Sequence, residues 1–365
     1  MVKARKIVLV RHFEGQPRTE DFRIEEEDLP PVKDGQILAE AVYFSVDPFQ
    51  KSHTAMHHVG DTFYGAQEDR STLLLVQLSC VSAAVRWCNA EAYPQVARIV
   101  ESRAPGFPVG RHVVAYWGWR DRTVADVGSG RPQPPLYVLP PRLVPHLGDL
   151  PLSLSLGVLG MPGNSAYFPL LDICKPKPGE VVAVTGAAGA VGSIVGQIAR
   201  IKGCTVIGFA GSDAKVKWLK EELGFHHAFN YKKTDVSTAL KQAAPDGVDV
   251  YFDNVGGDMS TKVMSNMRYR GRIVVIGAIS QYNDLEHQKL VNLPFTFLAQ
   301  QLRLEGCAVA RYHDRWEEGI SQLTKWVREG KIKYRETVTK GFENTPRAFI
   351  GMLRGENFGK AVVKL

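Results

Sequence analysis

From Val181 onward, short apolar runs alternate with longer amphipathic stretches. The runs are VVAVT from 181, TVIGFA from 205, AFNY from 228, VDVYFDNV from 248, RIVVIGA from 272 and CAVAR from 307. Their apolar character is continuous rather than alternating, so both faces are covered, as in parallel strands beneath helices. The intervening pattern predicts helices over 191–202, 215–223, 236–243, 259–268, 298–303 and 314–328; Val216, Leu219 and Leu223, for example, share one helical face. Strand and helix in alternation predict a doubly wound α/β domain over 151–330.

The first 150 residues read differently. RKIVLVRH, FRIEEEDL, GQILAEAVYFSVD, QVARIVES, GRHVVAYWGW and PPLYVLPP are short strand-like runs separated by turns, with few long helical patterns. This predicts a β-rich domain. PQPPLYVLPPRLVP is loop or edge material, because proline cannot donate within a central ladder. Strand-like pieces reappear in the last residues, ending GKAVVKL, and 331–365 is expected to return to the first domain.

The first apolar run of the α/β half leads into VTGAAGAVGS, with glycines at 186, 189 and 192. A residue without Cβ lets the backbone approach a pyrophosphate, and a helix start offers unpaired N–H groups and the positive end of its dipole. Glycine and alanine also serve a plain strand-to-helix turn. The repeated strand and helix units around the motif favour the dinucleotide cradle. At the end of the second strand, where an acid would hold an adenine-ribose hydroxyl, stands AGSDAK. Small residues occupy the strand end, Lys215 could meet a 2′-phosphate, and Tyr231 could add a hydroxyl, which favours NADPH over NADH. Asp213 opposes this, either as a ribose acceptor or as a helix cap.

Composition narrows the field further. The 365 residues are 44% hydrophobic and 23% charged, ordinary for a globular chain of two domains. A formal charge of +7 favours anionic ligands, but no dense Lys/Arg block points to nucleic acid. Cys80, Cys88, Cys174, Cys204 and Cys307 show neither a disulfide framework nor zinc spacing, and suit a reducing cytoplasm. The N-terminus lacks a signal-peptide core. Thr72–Cys88, interrupted by Gln77 and Arg86, falls short of the roughly 20 apolar residues of a membrane span. His53 and His57 are four apart, but no Glu follows His53, so H-E-x-x-H is absent and no metal site is expected.

Seen together, GMPGNSAYFPLLDIC, AAGAVGS, GSDAK, FNYK, YFDNVGG, GAISQYN and GFENTPRAFIGMLRGENFGK resemble the zinc-independent medium-chain dehydrogenase/reductases, and within them the prostaglandin reductase (leukotriene B4 12-hydroxydehydrogenase, alkenal double-bond reductase) group. The resemblance runs over 1–67 and 96–365. It implies a GroES-like β-domain and a Rossmann domain. It also implies cofactor contacts at Gly189, Ala190, Val191 and Gly192 for the pyrophosphate, Lys215 and Tyr231 for the 2′-phosphate, and Asn254 in the FDNVGG turn. Gly277, Ala278, Ile279, Ser280, Gln281 and Tyr282, then Cys307, Ala308 and Val309, and finally Asn357, would complete the cleft. Asn254 could equally serve its turn, and Asn357 a local hydrogen bond.

The implied reaction is NADPH-dependent reduction of the carbon–carbon double bond of α,β-unsaturated ketones or aldehydes, such as 15-oxo-prostaglandins and lipid alkenals. Charge then develops on the carbonyl oxygen and calls for a hydrogen-bond donor. Tyr282 is the candidate, with plain packing in the cleft as its alternative. A quinone oxidoreductase of the same fold, and a non-catalytic NADPH-binding protein, are the competing readings; a homodimer is left open.

The chain departs from the family at two places. D-P-Y-M-R becomes Asp47-Pro48-Phe49-Gln50-Lys51, which removes a tyrosine hydroxyl and exchanges Arg for Lys. The family's G-Q-Q-V-A-R-I-V strand is split around Glu68–Pro94, which carries LLLVQLSCVSAAVRW. Since the flanks join into the familiar strand without it, the expectation is that 68–94 is an extra piece that no fold selected. Deleting it should then preserve or improve solubility and cofactor binding; a deletion variant that unfolds would refute this.

Overall fold

A computed structural model describes residues 2–13, 15–54, 94–127, 139–282 and 293–365. Two compact units emerge, one of residues 1–156, 338–356 and 361–365, the other of 157–337 and 357–360. Of the C-terminal segment 331–365 that the sequence assigned as a block to the first domain, residues 331–337 and 357–360 belong to the second unit.

The first unit is mainly antiparallel sheet. Its strands are β1 (Val2–Leu9), β2 (Phe22–Leu29), β3 (Gln36–Val46), β4 (Pro94–Ser102), β5 (His112–Tyr116), β6 (Arg122–Asp126) and β7 (Arg142–Leu143), with the short helix α1 (Phe49–Thr54) after β3. β1 pairs with β2, while β3 pairs with β4 and β6, and the larger sheet continues through β5 to β7. Pro94, assigned from sequence to the insert, is the first residue of β4, a strand position that proline tolerates. The rest of the insert, Thr72–Cys88 included, and much of PQPPLYVLPP lie outside the described residues.

The second unit opens with helix α2 (Met161–Phe168). It then alternates β8 (Val181–Val184), α3 (Gly192–Ile201), β9 (Thr205–Ala210), α4 (Asp213–Glu221), β10 (His227–Asn230), α5 (Val236–Ala243), β11 (Val248–Asp253), α6 (Gly257–Met264), β12 (Met267–Val275), α7 (Leu293–Gln300), β13 (Arg303–Gly306) and α8 (Trp316–Arg328). The sheet order is β10-β9-β8-β11-β12-β13, with every pairing parallel. The order reverses beside β8, and in open parallel sheets that switch point is where ligands bind. Ala183, Ile207, Phe209, Tyr251 and Ile273 bury the sheet against α5 and α6, which explains their continuous apolar runs.

Three predicted elements differ: the helix expected over 298–303 is Leu293–Gln300, with Arg303 opening a strand. The helix expected over 259–268 ends at Met264, and a strand begins at Met267. Residues 268–270, Arg-Tyr-Arg, are exposed, so this half of β12 carries the polar surface of a helix face without being one. CAVAR is not a strand either. The strand is the preceding Arg303–Gly306, and a 3₁₀ segment covers Val309–Arg315. β13 is the sheet edge and has little to bury, so it lacks the apolar run that marks inner strands.

The remaining strands β14 (Glu336–Lys340) and β15 (Lys360–Lys364) join the larger antiparallel sheet. β15 pairs with β3, Ala361 opposite Val46. Between them helix α9 (Thr345–Leu353) places Phe349 and Met352 in a core with Ile7, Leu9, Phe22, Phe44 and Trp119. No helix among the described residues is long and apolar enough to cross a membrane.

Candidate cofactor site

The glycine motif forms the turn from β8 into α3. The Gly189 amide donates to the Gly186 carbonyl at 3.0 Å, and the Ser193 amide donates to the Gly189 carbonyl at 3.1 Å. The amides of Ala190, Val191 and Gly192 find no backbone acceptor among the described residues. They run from the turn through the N-cap Val191 to Gly192, the first residue of α3, so they lie at a helix start, where an anion can satisfy unpaired N–H groups. Gly192 is fixed by space: a Cβ there would lie 2.4 Å from the Gly186 carbonyl oxygen and 2.8 Å from the Ala187 Cα. Its absence lets helix and turn close on each other. The residues therefore fit a pyrophosphate.

The end of β9 shows which groups Asp213 engages. The helix cap is Ser212, whose hydroxyl accepts from the Lys215 amide at 3.3 Å, so the capping role considered for Asp213 is not the one found. The Asp213 carboxylate instead accepts from the Asn230 side chain at 2.7 Å and pairs with Lys233. These partners hold its carboxyl below the usual carboxylate range, the Asn230 hydrogen bond first. Lys215 is half-buried, and burial followed by the neighbouring charge of Lys232 pushes its ammonium below the usual lysine range. The Tyr231 hydroxyl stands 3.0 Å from where a Cβ of Gly211 would be. Lys215 and Tyr231 thus flank one strand end.

Asn254 serves its turn. Its amide side chain donates to the Thr185 carbonyl at 2.7 Å and its backbone N–H to the Thr185 hydroxyl at 3.1 Å, tying the end of β11 to the end of β8. Beneath it, Asp253 is buried and accepts from the Thr185 hydroxyl, the Val255 and Gly256 amides and the Ser260 hydroxyl. The 277–282 loop lies on this turn: the Ser280 amide and hydroxyl both donate to the Val255 carbonyl, and the Ile279 amide donates to that of Asn254. Gly277, Ala278 and Gln281 belong to the same loop. At its end the Tyr282 hydroxyl accepts from the Ala278 amide at 3.3 Å. Burial raises the phenol above its ordinary value, so it stays protonated and keeps a proton to donate.

Cys307 is buried, its amide donating to the Val275 carbonyl at the end of β12, with Ala308 and Val309 half-buried behind it. Asn357 makes the local contact considered for it, donating to the Gly359 carbonyl at 2.8 Å. The segment it belongs to reaches the glycine turn, because the Gly359 amide donates to the Ala188 carbonyl at 2.9 Å. The sequence-selected residues of the second unit therefore collect around the ends of β8, β9, β11, β12 and β13. Arg335 and Phe358, absent from that selection, belong to the same edge, and no local pattern marks them.

With this geometry in view, the comparisons are specific. Residues 5–64 match a family model described as the N-terminal domain of oxidoreductase, and 190–325 match one described as zinc-binding dehydrogenase. The chain is 44% identical over 366 residues to prostaglandin reductase 1 of Rattus norvegicus, covering 100% of both. The chain belongs to the zinc-independent prostaglandin reductase group of the medium-chain dehydrogenase/reductases. Within this family, a 2-alkenal reductase (NADP(+)-dependent) of Nicotiana tabacum is 35% identical over 99% of this chain and 97% of its own. The crystal structure of CurA from Vibrio vulnificus in complex with NADPH has a TM-score of 0.81 at 34% identity, covering 99% of this chain and 98% of that one. The fold class follows: a doubly wound Rossmann unit and a GroES-like β-rich unit. Zinc appears in the name of one family model, yet among the described residues no group of three or more His, Cys, Asp or Glu could hold a metal. The side chain of His53 and the whole of His57 lie outside the described residues.

The family's D-P-Y-M-R position lies in the first unit. The Asp47 carboxylate accepts from the Ser45 hydroxyl, and the Asp47 amide donates to the Gln50 side chain at 2.9 Å. Phe49, in place of tyrosine, packs against the core around Phe44 and Trp119. Lys51 is buried, which pushes its ammonium down to about 8. Asp47, Gln50 and Lys51 are all buried, and the sequence singled out Gln50 and Lys51 only as departures from the family.

Proposed function

We propose that this protein is an NADPH-dependent reductase of the carbon–carbon double bond of α,β-unsaturated ketones and aldehydes, with 15-oxo-prostaglandins and lipid alkenals as its substrate class. The observation that carries the cofactor half is the pairing at the end of β9: Asp213 is occupied by Asn230 and Lys233, while Lys215 and Tyr231 stand at the strand end. A carboxylate that is already bonded is a poor acceptor for a ribose diol, and a cation beside a hydroxyl suits a 2′-phosphate. The reaction half is supported by the full-length similarity to prostaglandin reductase 1 and to the alkenal reductase.

NADPH, when bound, supplies the hydride for the β-carbon of the substrate. The amides of Ala190, Val191 and Gly192 would hold the pyrophosphate, and Lys215 with Tyr231 the 2′-phosphate. The loop from Gly277 to Tyr282, Cys307 to Val309, and Asn357 would line the remaining cleft. Tyr282 is the proposed donor to the developing enolate oxygen, since its hydroxyl accepts from Ala278 and retains its own proton. A soluble cytoplasmic enzyme is part of this reading.

The test mixes purified protein with NADPH and a panel of enones, alkenals and quinones and follows loss of reduced-cofactor absorbance. Turnover of enones and alkenals is the expected result. Turnover of quinones alone would replace the reaction assigned here, and NADPH binding without turnover would leave a binding protein.

A further inference from the structure

On the edge that carries Lys215, the C-terminal segment brings in an aromatic ring with two cations over it. The Phe358 ring has the Arg335 guanidinium 4.4 Å from its centroid and the Lys215 ammonium 5.7 Å away, while Trp218 of α4 meets it edge-on at 5.9 Å. The ring's quadrupole attracts both cations. Its backbone is fixed at three points: the Phe358 amide donates to the Thr337 hydroxyl at 3.0 Å, the Lys360 amide to the Arg335 carbonyl at 3.0 Å, and the Gly359 amide to the Ala188 carbonyl at 2.9 Å. Residue 359 must be glycine here, since its φ is 59° and a Cβ would lie 2.0 Å from the Arg335 carbonyl oxygen. The ring is thus placed between the glycine turn and the start of α4, and every one of these residues belongs to the second unit.

Arg335 is exposed, and among the described residues no carboxylate lies within ion-pair distance of its guanidinium. Lys232 adds a third positive charge, felt at Lys215. Arg335 and Lys215 thus meet one ring, Lys232 acts on Lys215, and Asp213 at the start of α4 is engaged with Lys233 and Asn230. A phosphate monoester carries close to two negative charges at neutral pH, more than one lysine neutralises.

We propose that Arg335, held over the Phe358 ring, is a second cation for the 2′-phosphate of the cofactor and a determinant of the choice of NADPH over NADH. This rests on the cofactor reading above and extends it to a residue far along the chain from the Rossmann motifs. The guanidinium fork suits phosphate oxygens, and the aromatic platform fixes its plane before ligand arrives, so less side-chain freedom is lost on binding.

The test is calorimetric binding of NADPH and NADH, without substrate, to the full-length protein and to Arg335→Gln, Arg335→Lys, Phe358→Leu and Lys215→Gln, with melting temperatures as a check on folding. Arg335→Gln is expected to weaken NADPH about ten-fold, the loss of one charge-assisted contact, and to leave NADH within about two-fold. Arg335→Lys should recover most of the loss, and Phe358→Leu should weaken NADPH alone by about three-fold, because the cation loses its platform. Equal weakening of both cofactors by Arg335→Gln would overturn the proposal in favour of a contact with adenine or a structural role, and no change in either would overturn it outright. Lys215→Gln separates the two levels. If it lowers NADPH selectivity while Arg335→Gln does not, only the role of Arg335 falls. If neither does, the 2′-phosphate reading falls with it.

Discussion

Asp253→Ala should destabilise the second unit by about 3 to 5 kcal/mol, the range for breaking a buried, fully hydrogen-bonded charge. Asp253 is 1% exposed, and its carboxylate collects donors from three places. Oδ1 accepts from the Thr185 hydroxyl at 3.1 Å and from the Val255 and Gly256 amides at 2.9 Å each, while Oδ2 accepts from the Ser260 hydroxyl at 2.6 Å. Alanine leaves those donors buried without an acceptor. Because the same turn carries Asn254 and supports the 277–282 loop, NADPH affinity should fall with stability. Asp253→Asn should cost less, about 1 to 2 kcal/mol, since one oxygen keeps the three donors on its side and the Ser260 hydroxyl can rotate to accept from the new amide. Denaturant unfolding of the three proteins decides it. Equal stabilities for wild type and Asp253→Ala would show that the carboxylate does not organise this turn.

Gly192→Val should lower stability by about 3 kcal/mol and melting temperature by roughly 6 to 12 °C, as overpacking against backbone does. The atoms a new Cβ would meet, 2.4 Å and 2.8 Å away, belong to the main chain of Gly186 and Ala187 and cannot rotate aside. Helix α3 would have to shift away from the turn, which displaces the Ala190, Val191 and Gly192 amides together. NADPH affinity should therefore drop more than ten-fold at a temperature where the variant is still folded. Gly106→Ala is the control, because a Cβ there meets nothing within 4 Å and should change neither stability nor binding. Scanning calorimetry and NADPH titration of both variants give the result. A Gly192→Val protein that binds NADPH as the wild type does would remove the glycine turn from the cofactor site.

The legibility of the site differs residue by residue. VTGAAGAVGS was readable because the requirement is local: a buried strand, a turn too tight for side chains and a helix start occupy ten consecutive residues. Lys215 and Tyr231 were readable because the strand ends beside which they stand follow from the same periodicity. Asp213 was ambiguous, as a carboxylate at the start of a helix can cap, bind or pair. The choice was made by Asn230 and Lys233, which the β9 and β10 pairing brings alongside. Arg335 and Phe358 carried no signal: nothing in KIKYRETV marks Arg335, and GENFGK yielded Asn357 alone, through the family resemblance.

By itself the sequence determined that a parallel, doubly wound sheet and a β-rich domain would form, because continuous burial on two faces demands unbroken apolar runs and half-burial does not. It also determined where the glycine turn falls and, through family segments spread along the chain, the class of chemistry. The tertiary structure decided where polarity misleads: β12 begins with exposed Arg-Tyr-Arg, and the edge strand β13 is Arg303–Gly306 rather than the apolar run after it. It also decided which distant residues join the site. Gly359 reaches Ala188, and Arg335 and Lys215 both meet the Phe358 ring, though these residues are far apart along the chain, and a contact set by topology leaves no period in the sequence.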